Sequence, residues 1–553
     1  MADNGAGVDL RNTSAPAKDV IMLSFGTAGM RGIMGDGEKN MNMRTVRLAT
    51  RGLADLLISQ KSQKGGVVIA YDTRRNSIDF ALEAARVLSA AKIRVYIFED
   101  VRPVPVCSFA VRHLNAAAGI MITASHNPKE YNGYKVYGAD GAQLNLEDTQ
   151  RVAMAIDEAL MRKFPVSRLE SRNIKGADKQ WLNDYISVIG KSVDTAYFKE
   201  ILRLPLSPQH IKQAAANLKI VYTPLHGSGR MPVITALKLL EIPFEVVKEQ
   251  ELPDPEFSTV SAPNPEDPKA LSLGIAQAKA AGADLVMGTD PDCDRMGAAV
   301  KDDKGGFITL SGNQIGALIM DYILLRLKEL EALPKNAAVV KTIVTTGLAD
   351  KVAAHYGTKL FSVLTGFKFI GEKIKEWEKS GEFNFIFGYE ESFGYLAGIH
   401  ARDKDAVVAC MLFAEAACYF KTLGLTLWQR LQQLYKTHGY FVEKNTNFDF
   451  TGTTARRECG AVTSRLRIAD VQGAIGEKCV TVDYLKDDTG LPKSDVLKFN
   501  LADGAWAAVR GSGTEPKLKL YVSAPGKTQA AAKTRAEKLS AEFIKLMFPA
   551  TAT

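Results

Sequence analysis

The chain has 553 residues, of which 46% are hydrophobic and 24% are charged. This length exceeds what one core supports and predicts roughly three or four domains, while the composition excludes a disordered chain. Seventy basic and 62 acidic residues give a net charge of +8 without a run of like charges. We therefore expect no nucleic-acid or membrane partner, and the mild positive excess suits a small anionic substrate.

Six cysteines are sparse for a chain this long, and they form no C-x-x-C pair. This usage predicts free thiols in a reducing compartment and no structural zinc. The first 20 residues lack the basic cap and apolar core of a signal peptide, and no stretch reaches the roughly 18 apolar residues that a membrane span needs. We expect a cytoplasmic protein, and either a monomer or a dimer is compatible with the sequence.

The first part of the chain alternates strand-like and helix-like patterns. The runs 67–74 and 93–98 are short, β-branched and aromatic, and the segment 77–90 between them is helical in pattern. This is the βαβ order of a mostly parallel sheet. A glycine-rich run around Arg31 could bring backbone N–H groups and a guanidinium to an anion, although an ordinary glycine-rich turn explains it equally well.

The stretch Thr-Ala-Ser-His-Asn-Pro at 123–128 follows an apolar run that predicts a strand. Proline bars a helical continuation, so the strand would present Ser125 and His126 at its end, and an ordinary turn is the alternative. Neighbouring side chains on an extended segment point apart, so these two residues should not form a serine-hydrolase pair. The Asn-Gly pair at 132–133 predicts a hairpin turn, which would place Lys135 on a strand close to Ser125.

Another strand, predicted at 283–288, leads into the sequence Thr-Asp-Pro-Asp-Cys-Asp-Arg. On an extended segment, Asp290, Asp292 and Asp294 would project to the same side and could hold one hard cation such as Mg²⁺. An acidic turn without a metal is the alternative. Cys293 should point away from the cation, because Mg²⁺ prefers oxygen ligands.

Further polar clusters suit a sugar phosphate. Glu390 and Ser392 offer acceptors for sugar hydroxyls, and Lys368 could carry a proton if it is desolvated. A loop near the C-terminal end could bind a phosphate, through the residues Arg510, Ser512, Gly513 and Thr514. Solvated turns explain each cluster taken alone. Because open α/β sheets bind ligands at the carboxyl ends of their strands, we expect the clusters to face one cleft.

These groups fit together if Ser125 carries a phosphoryl group. A cation could then bridge that group and the three aspartates, while Arg31, His126 and Lys135 surround the phosphate or the oxygen that attacks it. The Arg510 group would then hold a phosphate that is bound and does not react. Closure of the last domain would exclude water from the phosphoserine.

The motifs Thr-Ala-Ser-His-Asn-Pro, Asp-Pro-Asp-Cys-Asp-Arg, Gly-Tyr-Glu-Glu-Ser-Phe-Gly and Arg-Gly-Ser-Gly-Thr occur in this order. Together they resemble the α-D-phosphohexomutase superfamily, and the runs at 25–32 and 365–368 resemble its phosphoglucomutase and phosphopentomutase branch. The resemblance implies three related mixed-sheet α/β domains and a smaller C-terminal α+β domain around a central cleft. We expect these units at 1–203, 204–310, 311–432 and 433–553.

The resemblance also implies roles for individual residues. The phosphoserine would be Ser125, which would join the three aspartates around Mg²⁺. The positions around the transferred group match Arg31, His126, Lys135 and Lys368. The positions that bind the sugar phosphate match Arg295, Thr365, Gly366, Glu390, Ser392, Arg510, Ser512, Gly513 and Thr514.

The activity that the resemblance implies is reversible conversion of glucose 1-phosphate and glucose 6-phosphate, with glucose 1,6-bisphosphate as intermediate and activator. Phosphopentomutase or phosphomannomutase specificity is the nearest alternative, because Glu390 and Ser392 only indicate that hydroxyls are bound. A metal-dependent phosphatase and a sugar-phosphate-binding protein without turnover are more distant alternatives.

Overall fold

A computed structural model describes residues 23, 25–26, 29–161, 184–450, 454–511 and 517–549. These residues form four sheets, and one sheet lies in each of the four expected segments. The first three sheets are mixed and flanked by helices, and the fourth is antiparallel, so the predicted fold class is confirmed.

The first unit is built around a six-stranded sheet. Its elements are β1 (Met30–Ile33), α1 (Met43–Ser59), β2 (Val67–Tyr71), α2 (Ser77–Ala90), β3 (Val95–Phe98), α3 (Val104–His113), β4 (Ala118–Ile122), β5 (Tyr131–Gly138), α4 (Leu146–Met161), β6 (Ile186–Ile189) and α5 (Lys191–Ile201). The strand order is β1-β5-β4-β2-β3-β6, and β5 runs antiparallel to both of its neighbours. The predicted helix at 77–90 is confirmed, whereas β6 had no predicted counterpart.

The second unit has a five-stranded sheet in the order β11-β10-β9-β7-β8. Its elements are α6 (Pro208–Ala214), β7 (Ile220–Thr223), α7 (Arg230–Leu239), β8 (Phe244–Val246), α8 (Lys248–Glu251), α9 (Ser272–Ala281), β9 (Leu285–Thr289), β10 (Met296–Lys301) and β11 (Phe307–Leu310). A long loop at 252–271 joins α8 to α9. β7, β8 and β9 are parallel, and β9 ends at the three aspartates.

The third unit has a four-stranded sheet in the order β13-β12-β14-β15. Its elements are α10 (Gly312–Glu329), β12 (Ala337–Thr342), α11 (Leu348–His355), β13 (Lys359–Val363), α12 (Phe367–Ser380), β14 (Asn384–Glu390), β15 (Gly394–Ala397), α13 (Ala406–Thr422) and α14 (Leu427–His438). The expected limit of this unit at residue 432 falls inside α14.

The fourth unit has an antiparallel sheet in the order β16-β20-β19-β18-β17. Its elements are β16 (Tyr440–Asp449), α15 (Ala455–Ile468), α16 (Val471–Ile475), β17 (Cys479–Asp483), β18 (Val496–Leu501), β19 (Trp506–Gly511), β20 (Lys517–Gly526) and α17 (Gln529–Met547). Trp506 and Tyr521 of this unit share one buried apolar cluster with Val344, Leu364 and Phe367 of the third unit. The last two units are therefore packed through a common core.

Helix α13 lies at the centre of the molecule. Every residue from Ala406 to Phe420 is buried. The helix begins at Asp405, whose side chain accepts hydrogen bonds from Val408 N and, at 2.8 Å, from Tyr197 Oη of the first unit. Further along α13, Glu415 accepts the backbone N–H groups of Leu206 and Ser207, in the segment that links the first two units.

Among the described residues, no single helix is both long enough and apolar enough to cross a membrane. By length and composition alone, the pair α13 and α14 passes the test together, although it is bent by 84°. The core position of α13 accounts for its apolar sequence.

The predicted hairpin at 132–133 is wrong, because Asn132 and Gly133 lie inside the continuous strand β5. Asn132 is buried and donates to Arg75 O and Ser77 Oγ. A Cβ on Gly133 would lie 2.5 Å from Thr123 O and 2.8 Å from Met30 O. The pair therefore permits two strands to approach β5 closely. An Asn-Gly pair is also typical of turns, which is why the sequence predicted one here. Lys135 nevertheless lies on this strand, opposite Met121 of β4, as expected.

We predict that Gly133→Ala lowers the free energy of unfolding by about 1–3 kcal/mol, because the new methyl group meets backbone oxygens that cannot move without disturbing strand pairing. Denaturant titration would measure the loss. Gly460→Ala is the matched control, since a Cβ there would have no heavy atom within 4 Å. Equal stability of the two variants would contradict the prediction.

We predict that Glu415 makes stability depend on pH. Burial raises the pKa of Glu415 from 4.5 to about 7. The folded protein therefore holds this proton more tightly than the unfolded chain, so the contribution is complete below pH 4.5 and is lost as the pH rises through about 7. At 1.36 kcal/mol per pKa unit the loss is about 3 kcal/mol.

Glu415→Gln should therefore flatten the dependence of the free energy of unfolding on pH between pH 5 and 8, as measured by denaturant titration at several pH values. Glutamine keeps one oxygen that can accept the N–H groups of the linker. The exposed Glu382→Gln variant serves as control and should follow the wild-type curve. If the free energy of unfolding of Glu415→Gln depended on pH in the same way as that of the wild-type protein, the assignment to Glu415 would be contradicted.

Candidate active site

The stretch 123–128 forms a tight turn at the carboxyl end of β4. Ser125 is 2% exposed and has a left-handed backbone with φ of +51°. Its hydroxyl donates to Asp290 Oδ2 at 2.7 Å and lies 3.3 Å from His126 Nδ1. The expectation that the serine and histidine side chains point apart is therefore wrong, because the segment is not extended at Ser125.

His126 is held in the neutral form. Burial lowers its pKa well below 6.5, and the positive charges of Arg295 and Arg31 lower it further. Arg31 lies on β1 and donates through Nη1 to Asn127 Oδ1 at 3.0 Å, beside the serine turn. The structure thus brings together Ser125, His126 and Arg31, as the sequence predicted.

The three aspartates also lie on a turn and not on the predicted extended segment. Cys293 N donates to Asp290 O at 2.9 Å, and Cys293 has a φ of +50°. This turn still brings one carboxylate oxygen each of Asp290, Asp292 and Asp294 within 4.8 Å of one another. Cys293 is buried and is not part of this oxygen cluster.

The donor set fits a hard divalent cation. Asp292 Oδ1 and Asp294 Oδ1 are buried and accept no hydrogen bond from any described residue. Their other oxygens are paired with Lys135 Nζ, at 2.8 Å for Asp292 Oδ2 and 3.0 Å for Asp294 Oδ2. Three converging carboxylates with open lone pairs offer the all-oxygen environment that Mg²⁺ prefers.

The electrostatics of the turn point the same way. Burial raises the pKa of Asp290 well above its usual range, and the charges of Asp292 and Asp294 raise it further. Burial also opposes ionisation of Asp294, but Lys135 and Lys404 outweigh it and lower the pKa of that carboxyl. A bound cation would favour the ionised form of all three carboxyls.

Backbone contacts from three units fix the position of this turn. Val104 N, at the start of α3, donates to Asp292 O at 2.9 Å, and Ala406 N, at the start of α13, donates to Cys293 O at 3.2 Å. Within the second unit, Ser228 donates through N and Oγ to Pro291 O. The aspartate turn is therefore held by the first three units rather than by its own unit alone.

Lys404 is a site residue that the sequence analysis missed. Its Nζ lies 3.3 Å from Asp294 Oδ2 and 3.1 Å from Asp403 Oδ1. Asp403 in turn accepts hydrogen bonds from Tyr137 and Gln143 of the first unit. The available signal was a run of four charged residues, 402–405, directly before the apolar sequence of α13.

Arg74 was missed as well, although Asp-Thr-Arg follows the carboxyl end of β2, as the serine motif follows β4. Arg74 is 3% exposed and binds the backbone of the serine turn through its guanidinium, with Nη1 2.9 Å from Pro128 O. The rule that parallel strands end at ligand sites would have selected it.

The predicted sugar-binding residues surround the end of β14. Glu390 Oε1 accepts the N–H group of Gly366 at 2.9 Å, and burial raises the pKa of Glu390, which Lys404 and Arg295 partly oppose. Arg295 pairs with Glu266 of the 252–271 loop. Thr365 and Ser392 are half-buried beside these groups in the chain.

Beside Glu390, Glu391 accepts a hydrogen bond from Thr342 Oγ1 at 3.1 Å, and burial raises its pKa to about 7. Arg510 and Lys519 lie opposite each other on β19 and β20. Lys519 is exposed on β20; desolvation by neighbouring groups and the charge of Arg510 lower its pKa, while Glu391 opposes that shift. The fourth unit thus directs a cationic pair towards the third, and Lys519 is a further residue that the sequence analysis missed. The predicted phosphate-loop residues Ser512, Gly513 and Thr514 lie outside the described residues.

Lys368 lies in the first turn of α12 and is 7% exposed, so it is desolvated as its predicted role requires. Burial lowers its pKa, although Glu372 opposes the shift. Its ammonium group is 5.1 Å from the Phe369 ring centroid and forms no hydrogen bond with a described residue. The structure shows no direct contact between Lys368 and Ser125 or the aspartate turn among these residues.

Three α/β units that bring a serine, three aspartates and two lysines together, with a fourth unit packed on the third, define a member of the α-D-phosphohexomutase superfamily. Comparison of the sequence with known families agrees. Residues 22–163, 195–305 and 311–438 match α/β/α domains I, II and III of phosphoglucomutase/phosphomannomutase, and residues 461–541 match its C-terminal domain. The chain belongs to the phosphoglucomutase/phosphomannomutase family.

Individual relatives are similar over most of the chain. A phosphoglucomutase of Staphylococcus epidermidis (strain ATCC 12228) is 39% identical over 518 residues, which are 91% of this chain and 90% of that protein. A phosphoglucomutase of Staphylococcus aureus (strain USA300) is 37% identical over 517 residues, which are 91% of this chain and 89% of that protein.

Solved structures share the fold at lower identity. The open form of the Paramecium phosphoprotein pp63/parafusin, a phosphoglucomutase, has a TM-score of 0.70 at 18% identity and covers 95% of both chains. A phosphoglucomutase/phosphomannomutase family protein of Burkholderia thailandensis has a TM-score of 0.67 at 19% identity, covering 95% of this chain and 97% of that one.

We predict that Mg²⁺ raises the melting temperature of the protein through the aspartate turn. A ligand that binds only the folded state at 100 times its Kd stabilises by about 2.7 kcal/mol. Asp292→Asn removes one charge from the turn and should abolish most of the shift, which differential scanning fluorimetry with Mg²⁺ or chelator would measure. Asp303→Asn, in an exposed hairpin turn, is the control. A shift retained in Asp292→Asn would place the cation elsewhere.

Proposed function

We propose that this protein interconverts glucose 1-phosphate and glucose 6-phosphate through a phosphoserine. The observation that carries the proposal is the Ser125 hydroxyl, which is buried in the cleft and directed at Asp290 Oδ2 at 2.7 Å. Relatives named phosphoglucomutase at 37–39% identity over 91% of the chain support glucose phosphates as substrates.

Phosphorylated Ser125 would give its phosphoryl group to the free hydroxyl of the sugar phosphate. The bond between phosphorus and Ser125 Oγ breaks and a bond between phosphorus and the sugar oxygen forms; the hydroxyl proton passes to a base, and the freed Ser125 oxygen takes up a proton. Neutral His126, with Nδ1 3.3 Å from Ser125 Oγ, is placed to exchange a proton at that oxygen. Burial lowers the pKa of Lys368, and we propose that this residue accepts the proton of the sugar hydroxyl.

The residues that would hold Mg²⁺ are Asp290, Asp292, Asp294 and phosphorylated Ser125. When bound, the cation supplies positive charge that neutralises the transferring phosphoryl group. Lys135 and Lys404, which already contact Asp292 and Asp294, add fixed charge to the same point. Arg31 would bind the phosphate from the side of the serine turn.

Transfer of one phosphoryl group yields glucose 1,6-bisphosphate. This intermediate must reverse its orientation in the cleft before its other phosphoryl group is transferred to Ser125. We propose that Glu390 and Ser392 bind the sugar hydroxyls in both orientations, with Thr365, Gly366 and Arg295 alongside. The phosphate that does not react would be held by Arg510 and Lys519, together with Ser512, Gly513 and Thr514, which follow in the sequence.

We propose that the four segments 1–203, 204–310, 311–432 and 433–553 act as functional units, each contributing one part of this cycle. The third and fourth pack together through the cluster around Trp506 and Phe367, which supports a contribution of both to the same binding site. Exclusion of water is needed because hydrolysis of the phosphoserine would end the cycle.

We predict that Ser125→Ala lowers kcat at least about 1000-fold, because it removes the group that carries the phosphoryl moiety. A coupled assay with glucose 1-phosphate, Mg²⁺ and glucose 1,6-bisphosphate would measure this, with the exposed Ser192→Ala as control. Full turnover by Ser125→Ala would refute the phosphoserine. When the product of each sugar phosphate is measured, the turnover of glucose 1-phosphate should be faster than that of mannose 1-phosphate or ribose 1-phosphate. Release of inorganic phosphate in place of glucose 6-phosphate would indicate a phosphatase.

A further inference from the structure

One buried guanidinium binds four backbone carbonyl groups of Ser125 and the residues that follow it. Arg74 Nη2 donates to the carbonyl oxygens of Ser125 and, at 2.6 Å, Asn127. Its Nη1 donates to those of Pro128 at 2.9 Å and Tyr131 at 3.1 Å. A planar, rigid fork thus fixes the shape of the whole turn, which a flexible ammonium group could not do in the same way.

Arg74 is itself fixed from β2. Its Nε lies 3.3 Å from Asp72 Oδ2, which also accepts Thr123 Oγ1 at 2.7 Å. Thr123 Oγ1 then accepts the N–H group of Ser125 at 2.8 Å. Asp72 Oδ1 accepts Ser77 Oγ and the N–H group of Arg74. The network therefore binds the N–H group of Ser125 on one side and its carbonyl group on the other.

This hydrogen-bond network is important because Ser125 has a backbone conformation that serine adopts rarely. At φ of +51° its Cβ is crowded, and such a residue keeps this conformation only where its surroundings impose it. The left-handed backbone is what directs Oγ towards Asp290 and His126. If the turn relaxed, the hydroxyl would leave the aspartates.

The second unit also contributes to holding this turn. The ring of Phe257, in the loop 252–271, lies under the guanidinium with its centroid 5.0 Å from Arg74 Cζ, and Phe257 is 1% exposed. Beside it, Glu256 pairs with Arg75 and, at 3.3 Å, with Lys129 of the first unit. The loop of the metal-binding unit thus packs directly on the residue that shapes the serine turn.

That loop is anchored to its own unit by His226, which follows β7. His226 Nδ1 lies 3.0 Å from Leu252 O, and Nε2 lies 2.8 Å from Thr259 Oγ1. A continuous series of contacts therefore connects the second unit to Ser125. His226 holds the loop, the loop positions Phe257, and Phe257 packs against Arg74. This contact adds to the direct hydrogen bond between Ser125 and Asp290 in setting the position of Ser125 relative to the aspartates.

We propose that Arg74 and Phe257 are positioning residues that hold Ser125 in its left-handed conformation, aimed at the aspartate turn. The inference rests on the proposed function, because it assigns a role in phosphoryl transfer through Ser125. Neither residue needs to touch the sugar. Loss of either should slow transfer to the sugar and let water compete for the phosphoryl group, while substrate affinity stays nearly unchanged.

The test uses the full chain loaded with ³²P from labelled glucose 1,6-bisphosphate. Arg74→Lys keeps the charge and removes the fork. We expect kcat to fall about 30- to 100-fold, the size of effect that a misplacement of about 1 Å causes, with KM changed less than about threefold. After addition of glucose 1-phosphate, a larger share of the label should appear as inorganic phosphate.

Arg326→Lys is the matched control. Arg326 is also buried, donates to Ser207 Oγ at 2.8 Å, pairs with Glu329 and lies over the Tyr419 ring at 4.9 Å, away from the serine turn. It should lower the melting temperature as Arg74→Lys does without altering the fate of the label. Wild-type kcat and label partition in Arg74→Lys, or the same change in both variants, would overturn the inference.

Phe257→Leu gives a second reading if Arg74→Lys does not fold. Removing the aromatic face should lower kcat about fivefold in the same direction, with KM again preserved. A Phe257→Leu enzyme with unchanged kcat and label partition would remove Phe257 from the inference. If the wild-type protein takes no label on Ser125, the proposed function fails; if labelling is normal and only the variants behave as wild type, the positioning role alone fails.

Discussion

Three carboxylates on one buried turn repel one another, so positive groups must be brought to them. Their compensation comes from other parts of the chain, since Lys135 belongs to the first unit and Lys404 to the third. The negative charges of the turn are therefore compensated only when the units are assembled. A site built on this constraint makes domain packing and chemistry inseparable, and it explains why buried contacts between units converge on the aspartate turn.

Much of this arrangement could be predicted from the sequence, because it follows from local rules. Buried parallel strands carry β-branched runs, and in such sheets the carboxyl ends carry the ligand sites. That reasoning placed Ser125 and the three aspartates together, where Ser125 Oγ donates to Asp290, and Lys135 contacts Asp292 and Asp294 of the same turn. Each of these residues directly follows, or lies on, a strand whose pattern is evident.

The remainder depends on partners that are distant in sequence. Asn132 and Gly133 have the composition of a turn, yet they lie inside a strand because Asn132 binds α2 and Gly133 admits two neighbouring backbones. Ser125 and His126 were expected to diverge, but Arg74 and its neighbours impose a left-handed backbone that no local pattern encodes. Lys404 lies in a charged run, and its role could not be predicted because its contact with Asp294 joins residues that are distant in sequence.

The central position of α13 has a consequence for how the protein is made. This helix contacts the first unit through Asp405 and Tyr197 and the linker through Glu415, yet it begins 200 residues after the first unit ends. At about 5–20 residues per second, synthesis from residue 203 to the end of α13 takes on the order of 10–40 s. During that time the first unit, joined after residue 310 by the second, must persist with uncovered apolar faces. A nascent chain of this kind is a natural client for chaperones until the helix that completes its core has emerged.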